Sequence, residues 1–441
     1  MPTTFPSGKT CFLVIHGIGE QNPFETLDQF GRGIINNLGI PKEQLGLSHE
    51  VAKRSGAGNS QWTESFLRIQ PSTKSGGFID VHEYYWAYLT EDAITLAEIY
   101  DWVKKTLMAS RGFYKDHPEK KKDLRGRRGF KPLPIFWLWL ILFVVRLIDP
   151  LFRMLNLLIT HAIPFLAPFR DWLKDNVFSA LRKIIVGYVG DVAIYTTMDK
   201  KSKHFRLRER ILAESLAFVD DLLTNGDAGK NQTQYEKVII AGHSLGSVIA
   251  FDTLNHLNIR ANVEKQSNGA LERLAGLITF GSPLDKIAFF FRDEAKRDAY
   301  VRKQILRQLH SFKSASPRIT DEMIQLVNPI EAKLDGIPWR NYYYPLDPIS
   351  GHLDFYLIGK DDNYPLDFDS SWGIAHIGYW KDPRFYADII QQFLVAVRGS
   401  NDSPQQEGAD KPRSDDRDWE TGTEFSKAFN YSTARQKENE Q

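Results

Sequence analysis

The stretch from Lys237 to Leu257 constrains the fold more than any other part of the chain. Lys237-Val-Ile-Ile-Ala241 reads as a short buried strand. It passes directly into Gly242-His243-Ser244-Leu245-Gly246, and from there into a helical stretch, Ser247 to Leu257. An apolar strand without polar alternation is one covered on both faces, as parallel sheets are. The serine then sits on a tight turn, and its flanking glycines let strand and helix approach closely. The helix that follows points its N-terminus back at the serine, where negative charge is stabilised.

The rest of the chain repeats the alternation of apolar runs and helices. Residues 11–15 read as a buried strand, broken by His16-Gly17-Ile18-Gly19, and a helical pattern follows near 24–37. Residues 65–70 and 78–86 suit strands, while 91–109 and 204–224 suit helices. Leu274 to Phe280 is a further strand, ended by Gly281-Ser282-Pro283, and Arg340 to Tyr344 is another, ended by Pro345. Phe385, Ile389, Phe393 and Val397 stand four apart and make one face of a last helix. There is no internal repeat. The pattern predicts an α/β class, with a mostly parallel sheet and helices on both faces.

Composition narrows the setting. The 441 residues carry a net charge of +1, so no global field points to nucleic acid. The single cysteine, Cys11, excludes an internal disulfide, fits a reducing, intracellular compartment and reads as a buried strand residue. The N-terminus lacks a basic start followed by an apolar stretch, so no secretory signal is expected. No metal cluster, phosphate loop or dinucleotide fingerprint is present, and neither a metal nor a cofactor is expected.

A serine hydroxyl becomes a useful nucleophile when an imidazole takes its proton, and a carboxylate must hold that imidazole in the right tautomer. Four of the eleven histidines follow the Ser244 motif. His256 lies in the helix after Ser244, His310 lies in a polar helical stretch, and His352 closely follows Asp347. His376 lies in Trp372-Gly-Ile-Ala-His-Ile-Gly-Tyr-Trp380, a glycine-bearing aromatic loop before the last helix. Asp347 ends the strand before it, within Pro345-Leu-Asp-Pro-Ile-Ser-Gly351, where an aspartate can also cap its own turn. Asp285 and Asp354 are the other acids considered.

Ala241-Gly-His-Ser-Leu-Gly-Ser247, His16-Gly17-Ile18-Gly19 after the first strand, and a downstream acid-then-histidine order together resemble the α/β-hydrolase superfamily, in particular its lipase-like serine esterases. The resemblance spans about 11–90 and 200–398. It implies Ser244 as nucleophile, Asp347 as acid and His376 as base, with His352 as the alternative base. It also implies an oxyanion hole from the backbone N–H of Leu245 and of Ile18 or Gly17, although a His-Gly-Gly-Gly run is lacking. His16 is then a loop-shaping side chain. The implied activity is cleavage of acyl esters through an acyl-enzyme. An acyltransferase would use the same three groups, and a non-catalytic hydrolase-fold module binding lipid or a partner is the reading from another class.

The composition shifts sharply after residue 110. Residues 115–131 carry eight Lys/Arg against three acids, and 27 of the 37 positions of 133–169 are hydrophobic. The domain plan expected is a hydrolase core at 1–110 and 190–398, an insertion at 111–189 and a disordered polar tail at 399–441. The apolar run 133–148 has 16 residues and covers about 24 Å as a helix, less than the roughly 30 Å of a bilayer core. A membrane-docking or re-entrant hairpin that acts as a lid, two spanning helices, and a soluble helical cap all remain open. The basic run and Trp137 and Trp139 favour a membrane surface, and with it a lipid-like ester substrate.

Overall fold

The computed structural model describes residues 5–17, 22–55, 61–73, 76–90, 203–228, 233–264, 269–285 and, with short gaps, 326–366 and 375–395, besides a few isolated positions. Two compact units are present. One comprises Met1–Gly17, Gln21–Tyr85 and Arg210–Gln441; the other comprises Ile18–Glu20 and Trp86–Glu209. The expected boundaries near 110 and 190, the helix at 91–109, the whole insertion and the tail lie outside the described residues. Among the described residues no helix is long and apolar enough to cross a membrane.

The first unit is built on an eight-stranded sheet. Its strands are β1 (Lys9–Ile15), β2 (Leu45–Ser55), β3 (Gln61–Pro71), β4 (Phe78–Tyr84), β5 (Lys237–His243), β6 (Leu274–Phe280), β7 (Trp339–Tyr343) and β8 (Asn363–Pro365), in the order β2-β3-β4-β1-β5-β6-β7-β8. From β4 to β8 every neighbouring pair is parallel. β2 and β3 extend the other edge as an antiparallel pair. The class is therefore α/β, with a mostly parallel, mixed sheet. β2 and β8 were not predicted; the other strands overlap the apolar runs and the alternating segments 65–70 and 78–86.

Among the described residues the longer helices are α1 (Glu25–Asn37), α2 (Lys203–Asn225), α3 (Leu245–Val263) and α4 (Pro383–Ile389), the last continuing as a π-helical turn, Ile390–Val395. Successive strand residues point to opposite faces. Phe12 and Val14 of β1, Ile239 and Ala241 of β5, and Ile278 and Phe280 of β6 join Phe30 and Ile34 of α1 and Phe385 and Ile389 of α4 in one core. Phe30 and Tyr386 meet there with ring centroids 5.8 Å apart. On the opposite face α2 meets α3 through Ser215 and Thr253, whose hydroxyls are 2.8 Å apart.

The opposite face also holds buried charge. Arg68 binds Asp80 through two hydrogen bonds, 2.8 and 2.7 Å, and reaches Asp227 at 2.9 Å. Arg54 is fully buried and binds Glu64 and Asp221, while His82 stands between Glu64 at 2.6 Å and the Tyr235 hydroxyl at 2.8 Å. Each charge there has an opposite partner, as burial requires.

Glu83, near the C-terminal end of β4, fixes the start of α1. Its carboxylate accepts the Phe24 amide at 2.7 Å, and Phe24 occupies the left-handed region at φ 69. Helix starts leave amides without intrahelical acceptors, and a carboxylate there satisfies one of them. Burial pushes the Glu83 carboxyl up to about 7, against the pull of Thr26 and the Phe24 amide. Its folded value lies above the ordinary 4.5, so the associated stability is fully present below about pH 4.5 and is lost as pH rises through about 7. Relative to Glu83→Gln, the wild type is expected to lose roughly 3 kcal/mol of unfolding free energy between these limits. Urea denaturation across that range measures it, and parallel curves for the two proteins would contradict the raised value of the Glu83 carboxyl.

Candidate active site

β1 and β5 are parallel neighbours at the centre of the sheet, with Ile15 opposite Gly242. β1 leads on through α1 toward β2, β3 and β4 on one side, while β5 begins the run β5-β6-β7-β8 on the other. The ends of two such strands leave a crevice at the carboxyl edge of the sheet, the usual place for chemistry in open α/β sheets. Gly17 and Ser244 both lie there.

Ser244 joins β5 to α3 with φ 50 and ψ −125, a conformation that side chains other than glycine rarely adopt. Two features permit it. The Ser244 amide donates to the Phe280 carbonyl at the end of β6, 3.0 Å away. The two motif glycines leave room for backbone: a Cβ on Gly242 would lie 2.5 Å from the Ser247 Cα, and one on Gly246 would collide with the Ile15 and His16 carbonyl oxygens. The Ser247 hydroxyl caps the turn, 2.5 Å from the Ser244 carbonyl oxygen and 2.7 Å from the Ser282 hydroxyl.

The structure brings Ser244, His376 and Asp347 together. His376 Nε2 lies 3.0 Å from Ser244 Oγ, and His376 Nδ1 lies 2.9 Å from Asp347 Oδ2. A carboxylate accepts only, so the neutral ring carries its proton on Nδ1 and turns the Nε2 lone pair to the serine hydroxyl. All three side chains are buried. The partners come from separate parts of the chain. Asp347 follows β7 in a turn, where the Ile349 amide donates to its Oδ1 at 2.8 Å. His376 sits in a single helical turn, Ala375–Gly378.

Tyr379 completes the support of Asp347, and the sequence did not mark it. Its hydroxyl donates to Asp347 Oδ2 at 2.9 Å, accepts the Tyr344 amide at 3.0 Å and stands 2.8 Å from Ser350 Oγ. Burial alone would raise the Asp347 carboxyl. The hydrogen bond and charge of His376, with the Ile349 amide, outweigh burial and hold it well below the usual carboxylate range. Asp347 is thus ionised wherever the protein is folded at ordinary pH.

The remaining sequence candidates fall as follows. His352 lies beside Tyr343, ring centroids 6.0 Å apart, and His256 is exposed on α3. Asp285 follows Leu284 in the turn after β6, but the carboxylate that meets His376 is Asp347. His310, Asp354 and Ile18 lie outside the described residues. Gly17 packs directly on the serine, where a Cβ would lie 2.8 Å from the Ser244 Cβ. Leu245 opens α3, and the first amides of a helix have no intrahelical acceptor. His16 is buried with Nδ1 2.7 Å from the Gly17 carbonyl oxygen, and burial pushes its ring down to about 4, so it stays neutral. Among the described residues no group of three or more His, Cys, Asp or Glu is placed to hold a metal ion.

Comparison with family models, with curated proteins and with solved structures finds no match in any of the three.

The turn's dependence on missing side chains can be measured. Gly246→Ala places a methyl against fixed backbone, and is expected to destabilise the protein by roughly 2 kcal/mol or more. Gly269→Ala meets nothing within 4 Å and is expected to change stability little. Equal denaturation midpoints for the two variants would contradict this account.

Proposed function

We propose that the chain is a serine ester hydrolase of the α/β-hydrolase type, lipase-like in substrate. The hydrogen-bonded chain from Ser244 through His376 to Asp347 is the observation that carries this reading. Its place at the carboxyl edge of a parallel sheet, on a strand-to-helix turn at φ 50, supports the hydrolase fold over a generic α/β sheet.

In the proposed reaction His376 Nε2 takes the Ser244 proton as Oγ attacks the ester carbonyl carbon. The carbonyl oxygen gains negative charge and is held by the Leu245 amide and by an amide of the Gly17–Ile18 segment. His376 then passes its proton to the departing alkoxide as the carbon–oxygen bond breaks, leaving an acyl-Ser244. Water repeats the sequence, with His376 accepting its proton, and releases the acid. Asp347, held ionised, stabilises the imidazolium at each stage.

Labelling with a fluorophosphonate probe tests the nucleophile. Wild type is expected to be labelled, and Ser244→Ala is not. The same variant is expected to lose on the order of 10⁶-fold in kcat on a p-nitrophenyl ester. Equal labelling of folded wild type and variant would overturn the reading.

The basic run 115–131 and the apolar stretch 133–169 support work at a membrane surface on a lipid-like ester. Full-length protein is expected to sediment with vesicles containing anionic lipid, and protein lacking 115–169 to remain in the supernatant. Equal sedimentation of both would remove the membrane from the proposal.

A further inference from the structure

The residue before the serine is also a histidine, His243. His243 ends β5 and is buried. Its Nε2 lies 3.1 Å from the backbone carbonyl oxygen of His376. A carbonyl accepts only, so the proton of the neutral His243 ring is on Nε2. The two imidazoles stand with centroids 5.0 Å apart and planes 32° from each other.

The ring has little room to move. A Cβ on Gly17 would lie 3.0 Å from His243 Nδ1. A Cβ on Gly281 would lie 3.2 Å from His243 Nε2 and 3.2 Å from His376 Cε1, and Gly281 itself adopts φ 61. Phe280 and Trp380 close the remaining sides, with centroids 5.0 and 5.1 Å from the His243 ring. Burial, aided by the charge of His376, pushes the His243 ring down to about 3, against the pull of the His376 carbonyl and Asp347. The ring is therefore a fixed, uncharged donor. It adds no second positive charge beside the group proposed to accept a proton.

We propose that His243 is a positioning residue for His376, its Nε2–H tying the backbone turn that carries the base to the strand that carries the nucleophile. This rests on the reading of Ser244 and His376 as nucleophile and base. Asp347 orients the His376 ring, while His243 sets where the backbone of that residue stands. The turn Ala375–Gly378 is only four residues long, so its own hydrogen bonds hold it weakly. An error of about 1 Å at a reacting group costs on the order of 10²-fold in rate.

Three variants separate the donor from the ring. His243→Phe keeps a ring without the donor, His243→Leu is a second donorless variant, and His243→Gln keeps an N–H within reach. On a p-nitrophenyl ester, His243→Phe and His243→Leu are expected to lose roughly 10- to 100-fold in kcat. KM should stay within about twofold, because substrate contacts are unchanged. His243→Gln is expected to recover most of the loss. Wild-type kcat in both donorless variants, or equal impairment of the Gln variant, overturns the proposal.

Imidazole NMR supplies a readout that does not need turnover. The wild-type His243 ring is expected as the Nε2–H tautomer, without titration through neutral pH. The low-field Nδ1 proton of His376 is expected to persist in His243→Gln and to broaden or vanish in the donorless variants. A His243 ring protonated on Nδ1, or a His376 signal unchanged in every variant, overturns the proposal. If wild type is neither labelled nor active, the hydrolase reading fails on its own, and these signals alone decide the tie. If the donorless variants do not fold, the wild-type tautomer and titration decide it.

Discussion

Close approach between the ends of β1 and β5 is the condition on which the site depends. Backbone of one strand end must fit where the side chains of the other would stand. Gly17 meets Ser244, and Gly246 meets the Ile15 and His16 carbonyls. A residue held at φ 50 costs of order 1–3 kcal/mol. The same turn launches α3, which buries Val248, Ile249, Leu254 and Leu257. Each such side chain contributes roughly 1.5–3 kcal/mol. Burial of the helix therefore exceeds the strain of the turn, and the serine can be held in a conformation that no local preference favours.

The two faces of the sheet treat polar groups differently. Opposite α1 and α4 lies a network of paired charge, with Arg54 and Arg68 bonded to four carboxylates. At the carboxyl edge two of the described histidine rings are instead uncharged. His16 and His243 are both pushed toward the neutral form by burial, and Asp347 is the ionised partner of His376. Among the described residues, His376 thus bonds one ionised carboxylate, and the uncharged His243 ring stands beside it.

The elements around the crevice were legible because their residues are apolar for one plain reason, burial on both faces. β1, β5 and β6 could be read from such runs. β2 could not. It alternates exposed Leu47, His49, Val51 and Lys53 with buried Ala52 and Arg54, so neither polarity nor apolarity marks its inner face. β8 has three residues, too few for a period. Glu64, Arg68, Asp80 and His82 are polar at alternate strand positions, a pattern that resembles a wet face. Alternation separates two faces but does not say which one a helix will cover. The serine motif was local and visible. Several residues were candidates for its partners, because the distances that bring His376 and Asp347 to Ser244 exist only after β5 and β7 are placed in one sheet. Tyr379, Glu83 and the role of His243 left no sequence signal, since each acts through a backbone group or a carboxylate distant in the chain.

Those unsignalled residues share a physical task. A serine and an imidazole 3.0 Å apart must stay so although they belong to segments 132 residues apart. Two hydrogen bonds on the His376 ring fix its rotation, but rotation about a wandering backbone is of little use. The His376 carbonyl is held by His243, and the Asp347 carboxylate by Tyr379, which is itself held by the Tyr344 amide. His376 is therefore restrained both at its ring and at its backbone, and the Asp347 carboxylate by two donors, His376 and Tyr379. The second restraint comes from β5 for His376 and from the segment just after β7 for Asp347. The placement of His376 thus depends on β5 as well as on the short turn that carries it.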